Sequence, residues 1–581
     1  MPKLSIDGID VEVPENTTVL EAAKKAHIHI PTLCSYEGIS NVGACRLCTV
    51  EVEGMRNLPT SCTLPVRDGM KVRTNTPKIR DARRAIMQLI LSEHPADCQT
   101  CSKNQRCELQ RLTYELGVRE LPFNRNSLNK TIHSQSPYVT RDLNYCVLCG
   151  RCIRVCSEIQ SVNAIDYAFR GYNAEVNAPY DEDLSKTKCV SCGQCILACP
   201  VGALSERLSI KEVWDDLSSN KLTVVQFAPS VRAAIGEEFG LKAGELTTGR
   251  LIAALRRLGF KKVFDTNFGA DLTIIEEGHE LLERIKKGDL PMFTSCCPGW
   301  VNFAELFYPD ILPKLSTCKS PHEMLGALTK SYYANKIGVD RTNISMTSIM
   351  PCVAKKQECD RPQLVVDNIK DVDHVLTTRE LAQMIKEAGI DFKSLSDEEH
   401  DAPLGLYTGA AAIFGASGGV MEAALRTVYE VATGEELANL DFKAVRGLEG
   451  VKEASITIRD KTFNVAVASG LGSARKLIEE VLRGEKNYHF VEIMACPGGC
   501  IGGGGQPILN NKIDRLERIK ERAESLYALD RQTILRKSHQ NPAIVSLYKE
   551  YLEEPLGHRS HQLLHTTYQP RLACVPPQAK S

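Results

Sequence analysis

The chain has 581 residues, a length that accommodates about four domains. Its 72 acidic and 71 basic residues nearly cancel, which argues against a nucleic-acid binder, and 43% hydrophobic content excludes disorder for the bulk of the chain. The most apolar stretches, such as 86–91, fall far short of the roughly 20 residues that span a bilayer, and the N-terminus has no apolar leader, so no membrane span and a cytoplasmic location are expected. Cysteine is the anomaly: 15 of the 23 lie in the first 199 residues. In a reducing compartment that density points to metal ligation rather than disulfides.

Residues 3–6 and 9–13 read as two strands joined by the hairpin dipeptide Asp7-Gly8, and Thr18 with Glu21 is a capping box for a helix running to about His27. These lead to Cys34, Cys45, Cys48 and Cys62, with Gly43 where the backbone must curl tightly. The gap of 10 residues after Cys34 is long for a zinc knuckle, the alternative for four thiolates. An amphipathic helix over 79–93 ends at His94, which is followed by Cys98, Cys101 and Cys107; taken alone, one histidine and three cysteines favour zinc. Cys146, Cys149, Cys152 and Cys156 form an 11-residue run that can embrace a 4Fe-4S cubane, as do Cys189, Cys192, Cys195 and Cys199-Pro200. In two-cluster ferredoxins the fourth cysteine of each run ligates the other cluster. Cys146, Cys149, Cys152 and Cys199 are therefore expected on one cluster, and Cys189, Cys192, Cys195 and Cys156 on the other. Gly150 and Gly193 occupy matching places in the two runs.

The first cysteine spacing resembles the 2Fe-2S domain of hydrogenases and of the large peripheral subunit of respiratory complex I. His94 and its three cysteines are similar to the histidine-ligated 4Fe-4S site of the same two families. On this resemblance, residues 1–205 are an electron wire of one 2Fe-2S and three 4Fe-4S clusters.

Beyond about residue 210 short apolar runs alternate with amphipathic helices. Strands are expected at 222–227, 262–265, 291–293, 345–349, 464–468 and 490–493, and helices at 271–287, 378–388 and 473–482. This pattern implies α/β architecture with largely parallel sheets, in which ligands bind beyond the carboxyl ends of strands. Three such ends carry cysteines: Thr294-Ser-Cys296-Cys297-Pro-Gly-Trp300, Met350-Pro-Cys352-Val-Ala-Lys355-Lys-Gln-Glu358 and Met494-Ala-Cys496-Pro-Gly-Gly-Cys500. Each alone could be a set of buried, inert thiols. Together they identify the chain as a member of the FeFe-hydrogenases, of the large multi-cluster type found as catalytic subunits of NAD-linked or electron-bifurcating complexes.

The resemblance implies a multidomain α+β and α/β chain. Its parts are a β-grasp 2Fe-2S domain (1–78), a histidine-ligated 4Fe-4S domain (79–138), a two-4Fe-4S ferredoxin-like domain (139–208), an α/β H-cluster domain with two sheet-containing lobes (209–510) and a helical tail (511–581). It also implies that Cys297, Cys352, Cys496 and Cys500 hold a 4Fe-4S cubane, with Cys500 bridging to a diiron subsite that carries carbon monoxide, cyanide and a bridging dithiolate supplied by maturation proteins. Lys355 aligns with a cyanide-binding lysine, Met350 and Phe414 with packing positions around the subsite, and Glu358 with the signature glutamate. Cys296, Glu277, Ser316, Glu280 and then Arg284 at the surface fall where the family's proton relay lies; as a bare helix pattern, Glu280 and Arg284 are an ordinary exposed pair. The implied reaction is reversible interconversion of H2 with protons and electrons.

Lys512 to Arg522 reads as a solvated helix. The segment 554–565, with His558, His561 and His565, resembles the tail of hydrogenase subunits in multimeric complexes and suits a docking helix better than a metal site. Expected partners are ferredoxin, a flavin- and iron–sulfur-containing NAD(H)-binding subunit and a small 2Fe-2S subunit. The main alternative is a stand-alone ferredoxin hydrogenase; a non-catalytic complex I-like subunit and a hydrogenase-like iron–sulfur assembly protein are disfavoured by the catalytic motifs. Gly470-Leu-Gly472 before Arg475 is an incomplete dinucleotide fingerprint, better read as a tight strand-to-helix turn. Cys318, Cys359 and Cys574 have no assigned role and are expected as buried or spare thiols.

Overall fold

The computed structural model describes residues 1–124, 130, 132–133, 136–458, 461–508 and 515–571. The chain divides into two units, Met1–Ile159 with Asn163–Thr187 and Cys195–Ser205, and Gln160–Val162 with Lys188–Gln194 and Glu206–Ser581.

In the first unit, Lys3–Ile6 pairs antiparallel with Ile9–Glu12 and parallel with Met70–Arg73, on which Glu51–Val52 closes the sheet. Asp7 and Gly8 turn the hairpin at φ 50° and 85°, the left-handed backbone this dipeptide tolerates. The expected capping box of Thr18 and Glu21 starts the Val19–Lys25 helix. Its inner face shares one core with Leu4, Ile6, Val50, Val72, Cys48 and Cys62. Pro77–Ser92 follows as a helix capped by Thr76. Gly150 and Gly193 have φ of 67° and 71° immediately before the helices Arg151–Arg154 and Gln194–Ala198. The cysteine repeat is thus also a repeat of backbone shape.

The second unit is built on two four-stranded sheets. Lys262–Asp265, Leu222–Phe227, Ile344–Met350 and His374–Thr377 lie in that order, all parallel. Ile344–Met350 is buried along its whole length, as a parallel strand covered on both faces must be. The other sheet orders Met292–Phe293, Phe490–Met494, Lys461–Ser469 and Val451–Ile458, with only the last strand antiparallel. His374–Thr377 and Val451–Ile458 go beyond the expected strands; the first is only four residues long and the second shows water much of its polar side.

The Thr266–Lys287 helix joins the two lobes. It begins five residues before the expected Asp271, because the Asp265 side chain accepts the Asn267 N–H and caps it. Phe268, Leu272 and Ile275 pack into the core of one sheet, Ala270, Ile274 and Leu281 into that of the other. A helix buried on both sides also buries its acids, and Glu276, Glu277 and Glu280 are all enclosed.

The expectation of a solvated helix over Lys512–Arg522 is corrected for its described part. Arg515–Gln532 buries Arg518, Ile519, Arg522 and Leu526. The arginines are tolerated inside because they are paired: Arg522 donates to Glu237 at 2.6 Å and to the Ile501 carbonyl at 2.7 Å. Further on, Leu547, Leu552 and Leu564 belong to the core of the first sheet. Cys318 and Cys359 are buried thiols, and Cys574 lies outside the described residues. Among the described residues no helix is long and apolar enough to cross a membrane.

Candidate active site

Strand ends from both sheets converge on one cavity. Met292–Phe293 runs into Cys296 and Cys297, Ile344–Met350 into Cys352, and Phe490–Met494 into Cys496 and Cys500. All five cysteines line that cavity, together with Met350, Lys355 and Phe414. Only glycine fits at 499, where φ is 90° and a Cβ would lie 2.6 Å from the Ser417 nitrogen.

Burial pushes every thiol here up, Cys496 and Cys500 to about 12 and Cys352 well above its ordinary value. Such sulfurs are protonated unless a metal takes the place of the proton. Lys355 is the cavity's cation. Burial opposes its charge, but Glu358, 2.7 Å away, outweighs that and keeps the ammonium protonated. Glu358 is itself held down to about 2, since Lys355 and His322 overcome its burial. Lys355 also donates to the Cys296 carbonyl at 3.2 Å. Glu358 is not among the residues that line the cavity; it stands behind the wall and fixes Lys355 and His322.

Behind Cys296 the acids of the Thr266–Lys287 helix form a line. Glu277 faces the Cys296 thiol, the Ser316 hydroxyl and the Ser295 N–H, while neither of its oxygens has a partner in hydrogen-bond geometry. Burial pushes its carboxyl up to about 8, and the Glu280 and Glu492 carboxylates add to this. The Ser316 hydroxyl donates to Glu280 at 3.3 Å, and Arg284 donates to Glu280 at 2.7 and 3.0 Å. Arg284, expected at the surface, is instead buried, with its remaining hydrogen bonds on the Pro313 and Leu315 carbonyls at 3.0 and 2.9 Å.

In the first unit, His94, Cys98, Cys101 and Cys107 line one cavity, with Tyr145 set edge-on to the His94 ring. Cys146, Cys149, Cys152 and Cys199 line another, the exchange of fourth cysteines expected for one cluster of a pair. Cys34 and Cys45 face each other, as do Cys48 and Cys62: hydrogen bonds from Cys45 and Cys62 hold Cys34 and Cys48 down to about 5 and 6. Cys195 and Cys156 belong to the first unit, Cys189 and Cys192 to the second.

Comparison with known proteins follows the same divisions. The iron only hydrogenase large subunit, C-terminal domain, matches residues 221–504, and a 2Fe-2S iron-sulfur cluster binding domain matches 2–77. The NADH-ubiquinone oxidoreductase-G iron-sulfur binding region matches 83–122, a 4Fe-4S dicluster domain 122–203, and the iron hydrogenase small subunit 516–571. The NADP-reducing hydrogenase subunit HndD of Solidesulfovibrio fructosivorans is 49% identical over 98% of this chain and 99% of its own length. The chain belongs to the iron-only, or FeFe-, hydrogenases. Iron hydrogenase 1 of Clostridium pasteurianum is 42% identical over 98% of the chain and all of its own length. An apo form of FeFe-hydrogenase HydA1 from Chlamydomonas reinhardtii superposes with a TM-score of 0.57 at 46% identity, over 62% of this chain and 99% of that one.

This hydrogenase interconverts H2 with protons and electrons at an H-cluster, and 2Fe-2S and 4Fe-4S clusters carry the electrons. The donor sets fit those groups: soft sulfurs gathered in enclosed cavities, and an ammonium beside the active-site cysteines. Two features of the hydrogenase site carry no sequence signal. His322 lines the cavity and bonds Glu358 at 2.7 Å, yet sits in no motif. Burial, reinforced by Lys355, lowers its imidazole to about 4, so it is neutral, and its Nδ1 has no partner. Ser230, on a turn after Leu222–Phe227, also lines the cavity. The incomplete fingerprint is a strand-to-helix turn, with Gly470 at φ 83° between Lys461–Ser469 and Leu471–Leu482.

Proposed function

We propose that Cys297, Cys352, Cys496 and Cys500 bind the 4Fe-4S part of the H-cluster, that Cys500 bridges it to the diiron subsite, and that Lys355 steadies a cyanide ligand. Met350 and Phe414 pack around the subsite, and Glu358 acts through Lys355 as a positioning residue. The observation that carries this reading is the meeting of five cysteines from two sheets on one cavity with a buried ammonium. Four thiolates saturate a cubane, so the Cys296 thiol is left free to carry protons.

When bound, the H-cluster supplies the redox chemistry of hydrogen. The chain supplies the proton path: Cys296 hands a proton to Glu277, and Ser316 passes it to Glu280, beside Arg284. Each step needs hydrogen-bond reach or one intervening water. The accessory clusters number one 2Fe-2S, on Cys34, Cys45, Cys48 and Cys62, and three 4Fe-4S, one of them ligated by His94, Cys98, Cys101 and Cys107. The five proposed domains keep the boundaries read from the sequence. The test is paired: Cys297→Ala is expected to lose H-cluster iron, while Cys296→Ala keeps the iron and the infrared bands of bound carbon monoxide and cyanide. Equal iron loss in both would defeat the assignment.

The reading extends to a cytoplasmic catalytic subunit that passes electrons to a flavin- and iron–sulfur-containing partner binding NAD(H) or NADP(H), with a small 2Fe-2S subunit and ferredoxin. Similarity over nearly the full length to a subunit named NADP-reducing supports it. A stand-alone ferredoxin hydrogenase is favoured instead by equal coverage of iron hydrogenase 1. Native purification decides: hydrogen-dependent reduction of NAD+ or NADP+ by a co-purifying complex is expected, and a lone chain active only with ferredoxin would reverse the choice.

A further inference from the structure

The relay proposed above leaves its outer end unexplained. An arginine guanidinium does not release its proton in a protein, so Arg284 can orient Glu280 but cannot pass a proton onward. Glu280 has a second neighbour. The Thr317 hydroxyl donates to Glu280 at 3.1 Å and lies 2.7 Å from Nδ1 of His565, from the C-terminal tail. The tail is pinned there by backbone hydrogen bonds from Lys319 to the Leu564 carbonyl at 2.8 Å and from Thr566 to the Thr317 carbonyl at 2.7 Å. The His561 ring, one helical turn earlier and exposed, lies 4.4 Å from the His565 ring, centroid to centroid.

We propose that protons enter and leave this hydrogenase through the tail, along Glu280, Thr317, His565 and His561, with Arg284 as a positioning residue. The proposal rests on the relay above as far as Glu280. Outward, the O–H of protonated Glu280 breaks as Thr317 accepts that proton and gives its own to Nδ1 of His565. A carboxylate and an imidazolium result, and one proton has moved. His565 then yields a proton toward His561 and water, and the Thr317 hydroxyl turns back.

Imidazole suits this place because its ordinary titration lies near neutrality. The groups that face His565 favour a transient charge. Its Nε2 is 3.2 Å from Glu276, whose carboxyl is held below its usual range because His565, Tyr548 and the Leu556 N–H outweigh its burial. Glu276 therefore stays an anion, able to stabilise the imidazolium without taking its proton. The Cys318 thiol, also near His565 and Glu280, is pushed far up by burial and by the neighbouring glutamates and stays neutral. Outside, His561 lies close to Glu283 on the surface of the Thr266–Lys287 helix.

The matured enzyme tests this by dye-linked hydrogen evolution in H2O and D2O. Thr317→Val is expected to lower turnover about tenfold or more and to raise the solvent isotope effect, and Thr317→Ser to restore both, with iron content and infrared bands unchanged. His565→Gln should behave like Thr317→Val, and His561→Gln should regain its lost rate as imidazole buffer is added. Wild-type turnover and isotope effect in Thr317→Val, while Cys296→Ala is inactive, would overturn the tail route and leave the inner relay standing. An active Cys296→Ala would overturn the relay itself. Loss of the infrared bands together with turnover in both Thr317 variants would mark the residue as structural and also overturn the proposal.

Discussion

Glu277 is the residue whose physics is most exposed to test. Its carboxyl, raised to about 8 by burial, is neutral in the folded protein at pH 7, whereas an unfolded glutamate ionises from about pH 4.3. Between those values the folded state binds the extra proton. Its contribution to stability is therefore full below the unfolded value and is lost as pH rises through about 8. Glu277→Gln is expected to flatten the dependence of thermal stability on pH between about 5 and 8, and to lower turnover about a hundredfold because an amide cannot exchange the proton. An unchanged stability profile would mean that the carboxyl is ionised in the fold. Cys296→Ala should cost at least about a hundredfold in turnover with full cluster content. Wild-type turnover in that variant would send protons by another route.

At the scale of elements, the tail behaves as part of the catalytic unit. Leu547, Leu552 and Leu564 are buried in the core of the first sheet, and burying each such side chain is worth about 1.5–3 kcal/mol. Removing 540–581 also strips Asn541 from Asp271, and Tyr548 and His565 from Glu276. The loss rivals the roughly 5–15 kcal/mol net stability of a domain, so the truncated chain should melt at much lower temperature and lose dye-linked activity. A truncated chain with wild-type melting and activity would show that the tail only docks a partner.

The cysteine motifs were readable because ligands of one cluster sit at fixed, short spacings, and the parallel strands because burial on both faces leaves apolar runs. The tail was not. Thr317 and His565 are 248 residues apart, and no local pattern joins them. The arginines of Arg515–Gln532 look solvated in sequence, because the acid that pairs Arg522, Glu237, lies 285 residues away. Arg284 misled for the same reason: its carbonyl partners at Pro313 and Leu315 come from a different segment.

At the scale of the whole molecule, the account is a count of metal. One 2Fe-2S cluster, three accessory 4Fe-4S clusters and an H-cluster of six irons give about 20 iron atoms per matured chain. Protein made without maturation factors should hold about 18, because the cubane needs only the four cysteines whereas the diiron subsite is delivered separately. The most direct test is infrared spectroscopy of the two preparations beside their hydrogen evolution. The matured protein is predicted to show bands of metal-bound carbon monoxide and cyanide and to evolve hydrogen, and the unmatured protein to show neither. Substantial hydrogen evolution from protein without those bands would contradict the assignment of the reaction to an H-cluster held by Cys297, Cys352, Cys496 and Cys500.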